Sequence, residues 1–183
     1  MIDYKDFSFA SAPRSGSTWF MQAAANAGLG IGHKATVHLP DTRTDIYKIS
    51  MVRHPCDWLA SYFNVIKGAI LGVPSVDRFA KLSSDWVYFD HFIDNYLNHA
   101  SGCVGQMFLS YSAHTYLRIE DAPHCFFDLC DTFNITKPVM PDRVNSKTRN
   151  FVWDSKQYEQ VIEAELSFIE QFDYDVSYSG ARR

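Results

Sequence analysis

The sequence predicts a single-domain, three-layer α/β/α fold over residues 1–183, built on a mainly parallel central sheet. Short segments rich in β-branched and aromatic residues alternate with longer segments of helical periodicity. No internal repeat, low-complexity tract or linker-like run separates these segments, so we expect one domain. Such alternation places helices on both faces of parallel strands, and ligands then bind beyond the carboxyl ends of those strands.

Two strand-to-helix transitions are expected in the first third of the chain. Pro13 ends the first apolar segment, and Gly28 is the first breaker after the helix that follows it. Pro55 stands where the second helix begins, because its fixed φ suits the first helical turn. The predicted strands cover 7–12 and 46–52, and the predicted helices cover 17–27 and 55–66.

The rest of the chain is predicted to be mostly helical. Glycine, proline and paired serines mark 68–88 as a long connection, and one more strand is expected at 115–119. The segment 136–150 is polar and contains prolines, which also indicates a connection. The predicted helices of this part cover 89–99, 104–111, 125–133 and 156–172.

Composition argues against several classes of function. The formal net charge of −4 and the pI of about 5.9 lack the basic surplus typical of duplex-binding proteins, so we expect no nucleic-acid partner. We expect no membrane partner either, since no apolar stretch approaches a membrane span and the charged first residues do not resemble a signal peptide. The four cysteines show neither a Cys-x-x-Cys pair nor zinc-ligand spacing, which indicates free thiols, no metal and a cytoplasmic protein.

A first candidate anion site lies between the first strand and the first helix, in Pro13-Arg14-Ser15-Gly16-Ser17-Thr18-Trp19. Gly16 permits a tight turn, so successive N–H groups can point into one space at the amino end of a helix. The segment lacks the Gly-x-x-x-x-Gly-Lys-Ser/Thr pattern of the Walker A motif, and taken alone it is equally typical of a capped turn. The residues expected to contact an anion, through N–H groups, hydroxyls or positive charge, are Arg14, Ser15, Gly16, Ser17, Thr18 and Trp19.

A second candidate site lies at the next strand-to-helix transition. Arg53 directly follows the predicted strand, where its side chain can meet an anion beyond the sheet. Ser61 lies two turns into the helix, from which its hydroxyl can point at the same anion. Each residue alone is more typical of a solvated surface position, so the two sites are informative only together.

Together, the two segments resemble the signature motifs of sulfotransferases that use 3′-phosphoadenosine 5′-phosphosulfate (PAPS). In that family a Pro-Lys/Arg-Ser-Gly-Thr/Ser-Thr-Trp loop grips the 5′-phosphosulfate. A second motif, an Arg with a Ser eight residues later, grips the 3′-phosphate, and Arg53 and Ser61 keep this offset. The resemblance implies a fold like that of the P-loop nucleotide hydrolases, PAPS as donor, adenosine 3′,5′-bisphosphate (PAP) as product, and no metal.

The resemblance continues through most of the chain. Tyr116-Leu117-Arg118-Ile119-Glu120-Asp121 is similar to the family's late strand, Leu-x-Leu-Arg-Tyr-Glu-Asp, which a helix follows. Arg143-Val144-Asn145-Ser146-Lys147 is similar to the basic loop that closes over the nucleotide. This second likeness makes Asn145, Ser146 and Lys147 candidate nucleotide-binding residues, although a basic loop is also typical of a solvated connection.

Sulfuryl transfer needs a base for the acceptor proton and a cation for the charge that grows on the leaving group. Val37-His38-Leu39-Pro40 resembles the family's Lys-Thr-His-Leu-Pro segment, whose histidine is the base, and this favours His38 over the nearby His33. Arg14 stands where the family has its loop lysine and is the candidate catalytic cation. The family's lysine two residues before that histidine is Thr36 here. The lysines left open as its replacement are Lys34 and Lys48.

The expected acceptor is a small molecule or a glycan that carries a hydroxyl or an amine. Two other functions stay open. One is an ATP-dependent phosphotransferase of the P-loop type, which the missing Walker lysine and metal carboxylate disfavour. The other is a non-catalytic nucleotide-binding module, which would depend on Arg53 and Ser61 but not on His38.

Overall fold

The computed structural model describes residues 1–34, 37–40, 42–66, 88–142 and 151–177. Contacts between residues divide the chain into two units. The first comprises Met1–Arg53 and Phe108–Ser146, and the second comprises His54–Met107 and Lys147–Arg183. The described strands all belong to the first unit. The single domain expected over 1–183 stays a prediction.

A five-stranded sheet forms the centre of the first unit. Its strands are β1 (Ile2–Asp3), β2 (Ser8–Phe9), β3 (His33–Lys34), β4 (Lys48–Val52) and β5 (Thr115–Arg118). They lie in the order β3-β1-β2-β4-β5. Strand β1 pairs antiparallel with β2 and β3, while β4 pairs parallel with β2 and β5. Four strands therefore share one direction and only β1 opposes them, which confirms an α/β chain with a mostly parallel sheet.

The described part of the chain contains seven α-helices and a short 3₁₀ helix, Ile119–Asp121. The α-helices are α1 (Ser17–Asn26), α2 (Pro55–Ile66), α3 (Phe89–His99), α4 (Cys103–Leu109), α5 (His124–Thr132), α6 (Ser155–Ala164) and α7 (Leu166–Gln171). The apolar periodicity of the sequence predicted most of these helices within three residues at each end.

Aromatic rings form the core of the first unit. The ring of Phe9 on β2 stacks on that of Phe20 on α1, with centroids 3.9 Å apart. The rings of Phe20 and Trp19 both meet Phe126 of α5 edge to face, at 5.4 and 6.1 Å. Such pairs add about 0.5–1.5 kcal/mol each beyond area burial. This packing fixes the direction in which α1 leaves the sheet, and hence where its amino end lies.

Strand β4 is buried along its whole length. Its sequence, Lys-Ile-Ser-Met-Val, is nearly continuous rather than strictly alternating, as expected of a strand covered on both faces. The ladder pairs Ser8 with Lys48 and Val52 with Arg118. The parallel strands β2, β4 and β5 thus end at one edge of the sheet, and the segments that follow them begin there.

The second unit is helical in its described residues. Phe63 of α2 packs against Phe89 and Phe92 of α3, with ring centroids 5.4 and 5.5 Å apart. Tyr158 and Val161 of α6 are buried in the same unit. The buried apolar residues of these helices recur at helical spacing and form the core of this unit.

The structure corrects three element predictions. Strands β1 and β3 were not predicted, because two residues are too few to show a periodicity. Only Ser8 and Phe9 of the segment 7–12 pair in the sheet. The helix expected over 156–172 is two helices, since the backbone at Glu165 departs from helical geometry. Of the expected connection 68–88, only Tyr88 lies within the described residues.

All four cysteines are free thiols, as their spacing predicts. Within the described ranges, no helix has the length and apolar character needed to cross a membrane. The cytoplasmic location stays a prediction.

Candidate anion-binding site

The loop between β2 and α1 is held closed by its own serines. The Ser15 hydroxyl donates to the Ala12 carbonyl at 2.7 Å, and it also bonds the Ser11 hydroxyl. Ser15 is fully buried, and Arg14, which precedes it, has a positive φ of 66°. The predicted contact of Ser15 with an anion is therefore limited to its N–H group, because its hydroxyl is used inside the loop.

Gly16 closes the loop and is the N-cap of α1. Its φ of 102° lies in the left-handed region that favours glycine. A Cβ atom there would lie 2.6 Å from Ile119 Cδ1 and 3.2 Å from Met51 Cε, so the side chains that follow β5 and line β4 form the floor beneath this turn. Both the conformation and the floor require glycine at this position.

The amino end of α1 presents N–H groups at the carboxyl edge of the sheet. The first intrahelical bond runs from the Phe20 N–H to the Gly16 carbonyl at 3.0 Å. Among the described residues, none accepts a hydrogen bond from the N–H groups of Ser17, Thr18 or Trp19, and no acidic side chain lies in the first turn. The helix dipole adds a partial positive charge there, which favours an anion.

The side chains of this first helical turn differ in their surroundings. Thr18 is exposed, whereas Ser17 is buried. Trp19 lies in the aromatic core and is only 4% exposed, so its side chain belongs to the fold and only its N–H group is placed for a ligand.

Two arginines lie side by side beside this helix end. Arg53 directly follows β4, and its Nη1 donates to the Arg14 carbonyl at 3.2 Å. Burial lowers the pKa of Arg14, and the positive charge of Arg53 lowers it further. Both side chains are half-buried. The structure therefore brings together the cations of the two sequence motifs, which are 39 residues apart in the chain.

His38 is tied to the loop through Ser11. Its Nδ1 lies 2.8 Å from the Ser11 carbonyl oxygen, and the Ser11 N–H donates to the Val37 carbonyl at 2.9 Å. Strand β3 shares the direction of β2, so the segment after it also emerges at the carboxyl edge of the sheet. His33, the competing candidate, lies within β3, where its backbone pairs with Asp3.

The two candidate replacement lysines lie at different places in the sheet. Lys48 begins β4 and is paired with Ser8, four residues before the carboxyl end of the strand. At roughly 3.3 Å per residue its backbone lies about 13 Å from that end. The ladders place Lys34 level with Ile49, only one residue further along the sheet than Lys48, so the register does not choose between the two lysines and both stay candidates.

The remaining predicted residues are not joined to this site by the described structure. Ser61 lies in α2 of the second unit and is buried, whereas Arg53 belongs to the first unit. The predicted contacts at Asn145, Ser146 and Lys147 fall outside the described residues. The first unit thus supplies a site of loop N–H groups, Arg14, Arg53 and His38.

Sequence reasoning missed three contributors to this site. Ser11 holds His38, Tyr111 donates its hydroxyl to the His38 carbonyl at 2.9 Å, and Ile119 supports Gly16. Near Ile119, Arg118 and Asp121 form a bidentate ion pair. Arg118 Nε donates to Asp121 Oδ2 at 2.6 Å, and Arg118 Nη2 donates to Asp121 Oδ1 at 2.8 Å. The spacing Arg-x-x-Asp after a strand was a signal for that pair, but nothing in the sequence links Tyr111 to His38.

Among the described residues, no group of three or more His, Cys, Asp or Glu side chains is placed to hold a metal ion. Comparisons of the chain with protein-family models, with curated proteins and with solved structures gave no match.

Proposed function

We propose that this chain transfers the sulfuryl group of PAPS to a hydroxyl or amine acceptor. The observation that carries the proposal is the pair of arginines, Arg14 and Arg53, held beside each other where α1 begins. Like charges repel, and the oxygens of a phosphate or phosphosulfate placed beside both guanidinium groups would offset that repulsion. The loop N–H groups and the helix dipole favour the same kind of ligand.

The identity of the donor rests on the resemblance of the two motifs. In this assignment the loop 13–19 with Arg14 holds the 5′-phosphosulfate and Arg53 holds the 3′-phosphate, the group that distinguishes PAPS from ATP. Ser61, Asn145, Ser146 and Lys147 keep the nucleotide-binding roles that the sequence predicts for them. The absence of the Walker A lysine from the sequence argues against ATP as the donor.

The proposed reaction is an in-line displacement at sulfur. The acceptor oxygen or nitrogen forms a bond to sulfur while the bond from sulfur to the bridging oxygen of PAPS breaks. The electron pair of the broken bond stays on the leaving PAP, where Arg14 and the loop N–H groups neutralise it. The acceptor proton goes to Nε2 of His38, the ring nitrogen left to accept when Nδ1 donates to the Ser11 carbonyl.

The decisive experiment is thermal unfolding with PAP, ATP or AMP added. A ligand at 100 times its Kd adds about 2.7 kcal/mol to the folded state. We expect stabilisation by PAP alone, its loss in Arg53→Ala, and its retention in His38→Ala. Lys137→Ala is the matched charge control, because Lys137 is an exposed cation of the same unit paired with Asp131 at 2.8 Å. It should bind PAP as the wild type does.

Other outcomes separate the competing functions. Stabilisation by ATP rather than PAP would overturn the proposal in favour of a phosphotransferase. Stabilisation by none of the three nucleotides would also overturn it. Stabilisation by PAP without transfer from radiolabelled PAPS to phenol, alcohol, amine or glycan acceptors would favour the non-catalytic nucleotide-binding module.

A further inference from the structure

His38 is held at three points within the first unit. Its ring Nδ1 meets the Ser11 carbonyl at 2.8 Å, the carbonyl of the preceding Val37 accepts from the Ser11 N–H at 2.9 Å, and its own carbonyl accepts from the Tyr111 hydroxyl at 2.9 Å. Together these bonds fix both the ring and the backbone of a residue that lies outside any helix or strand.

The bond to Ser11 determines which ring nitrogen carries the proton. A carbonyl oxygen only accepts, so the 2.8 Å contact requires a proton on Nδ1 of His38. In the neutral ring the lone pair then lies on Nε2. The Ser11 hydroxyl bonds Ser15, and so the same residue links the ring of His38 to the closed loop around Arg14.

Tyr111 reaches His38 from the turn that follows α4. The Tyr111 N–H donates to the Phe108 carbonyl at 3.3 Å, and Ser112 beside it has a positive φ of 46°. Tyr111 is only 3% exposed, and burial raises the pKa of its phenol. The phenol therefore stays protonated and donates to the His38 carbonyl, 73 residues away in sequence.

We propose that Tyr111 is a positioning residue that, through the backbone carbonyl of His38, keeps the histidine ring in the tautomer with Nδ1 protonated and Nε2 available as the base. The inference rests on the proposed function for its role in catalysis, but the tautomer itself can be measured without any donor or acceptor. Without the Tyr111 bond the backbone at residue 38 gains freedom, and the ring is no longer held against the Ser11 carbonyl.

The primary test is ¹⁵N NMR of the histidine ring nitrogens in the full chain, with His38→Ala used to assign the signals. In the neutral ring of wild-type His38 we expect the proton on Nδ1 and the lone pair on Nε2. Tyr111→Phe, which removes only the hydroxyl, should give a mixture of the two tautomers. Tyr47→Phe is the matched control, because it also removes one hydroxyl of this unit, the one that bonds the Thr115 hydroxyl at 2.6 Å. It should leave the His38 signals unchanged.

A kinetic test connects the tautomer to turnover. In Tyr111→Phe we expect kcat for transfer from PAPS to a phenol acceptor to fall about 10- to 100-fold, since small misplacements of a reacting group cost rates of that order. Stabilisation by PAP should stay at the wild-type level, because the hydroxyl that this variant lacks bonds the His38 carbonyl. Tyr47→Phe should keep the wild-type kcat.

Three results would overturn the inference. The first is a wild-type His38 that is protonated at Nε2 alone. The second is a Tyr111→Phe variant whose His38 tautomer is unchanged. The third is a Tyr111→Phe variant whose stabilisation by PAP falls as strongly as its kcat. If Tyr111→Phe does not melt cooperatively, 3-fluorotyrosine at position 111 replaces it, and an unchanged His38 carbonyl ¹³C signal would then count against the bond. Failure of PAP to stabilise the wild type would remove the proposed function, while the NMR result would still decide how His38 is held.

Discussion

At the scale of single residues, Gly16 is where backbone conformation and packing constrain the loop most tightly. Its φ is 102°, and a methyl group there would lie 2.6 and 2.9 Å from two atoms of Ile119. A left-handed conformation costs an alanine about 1–2 kcal/mol, and overpacking costs about 1–3 kcal/mol. We expect Gly16→Ala to lower the free energy of unfolding by about 2–5 kcal/mol, measured by urea denaturation.

Gly28 supplies a matched control for Gly16. Its φ of 74° is also left-handed, but no atom of the described residues lies within 4 Å of an added Cβ. Gly28→Ala should therefore cost only the backbone strain, about 1–2 kcal/mol. Equal losses in the two variants would show that the floor formed by Ile119 does not constrain the loop.

The sequence identified the residues of the loop better than it identified their roles. Arg14 and Gly16 lie where the motif predicts a cation and a tight turn. The roles of Ser15 and Ser11 could not be predicted, because their mutual bond depends on a positive φ at Arg14 that residue types alone do not reveal. Trp19 had a visible signal, since it shares the buried stripe of α1 with Phe20 and Ala23.

At the scale of secondary-structure elements, the break between α6 and α7 shows what periodicity omits. Glu165 is 2% exposed, and its carboxylate accepts from the N–H groups of Val104 at 3.0 Å and Gly105 at 2.7 Å, the first turn of α4. Tyr96 donates its hydroxyl to the same carboxylate. The apolar spacing of 156–172 fits one helix, so the sequence could not show that a glutamate turns inward there to cap a distant helix.

Glu165 should make stability depend on pH. Burial raises its pKa above the ordinary value of about 4.5, so the folded chain binds this proton more tightly than the unfolded chain. The resulting stabilisation is complete below the ordinary value and is lost as pH rises through the raised pKa. We expect the wild type to gain unfolding free energy relative to Glu165→Gln as pH is lowered through that window, measured by urea denaturation at each pH.

At neutral pH the same substitution should be destabilising. The side-chain NH₂ group of glutamine would stand where a carboxylate oxygen now accepts from a backbone N–H group or from the Tyr96 hydroxyl. A buried donor would then lose its acceptor, and an unsatisfied buried group costs about 1–3 kcal/mol. Glu163→Gln on the exposed face of α6 is the control and should change stability by no more than about 0.5 kcal/mol at any pH. If the difference in unfolding free energy between wild type and Glu165→Gln does not vary with pH, the raised pKa assigned to Glu165 is contradicted.

At the scale of the whole molecule, strand direction gathers distant parts of the sequence at one edge. The segments that follow β2, β3, β4 and β5 all begin there, and they carry Arg14, His38, Arg53 and Ile119 respectively. Alternation of strands and helices predicted that such an edge exists. The order of the strands was not predictable, because β1 turns back between β2 and β3 through ladders of only two residues.

The continuity of the chain between its two units predicts that they unfold together. The chain crosses between the units three times, and the crossing at Ser146 lies outside the described residues. Of the other two, helix α4 runs from Cys103 to Leu109 across the division at Met107, and His54 follows Arg53 directly before α2 begins at Pro55. Small single domains usually unfold in one transition, and we expect the continuous helix α4 to extend that behaviour to both units. With 5-fluorotryptophan, ¹⁹F signals of Trp19 in the first unit and Trp58 in the second should lose their native intensity at the same urea concentration.

PAP should raise both unfolding midpoints equally, because a ligand bound to the native state stabilises the whole cooperative unit. Separate midpoints, or a PAP shift seen only at Trp19, would mean that the two units are independent domains and that the single-domain prediction is wrong.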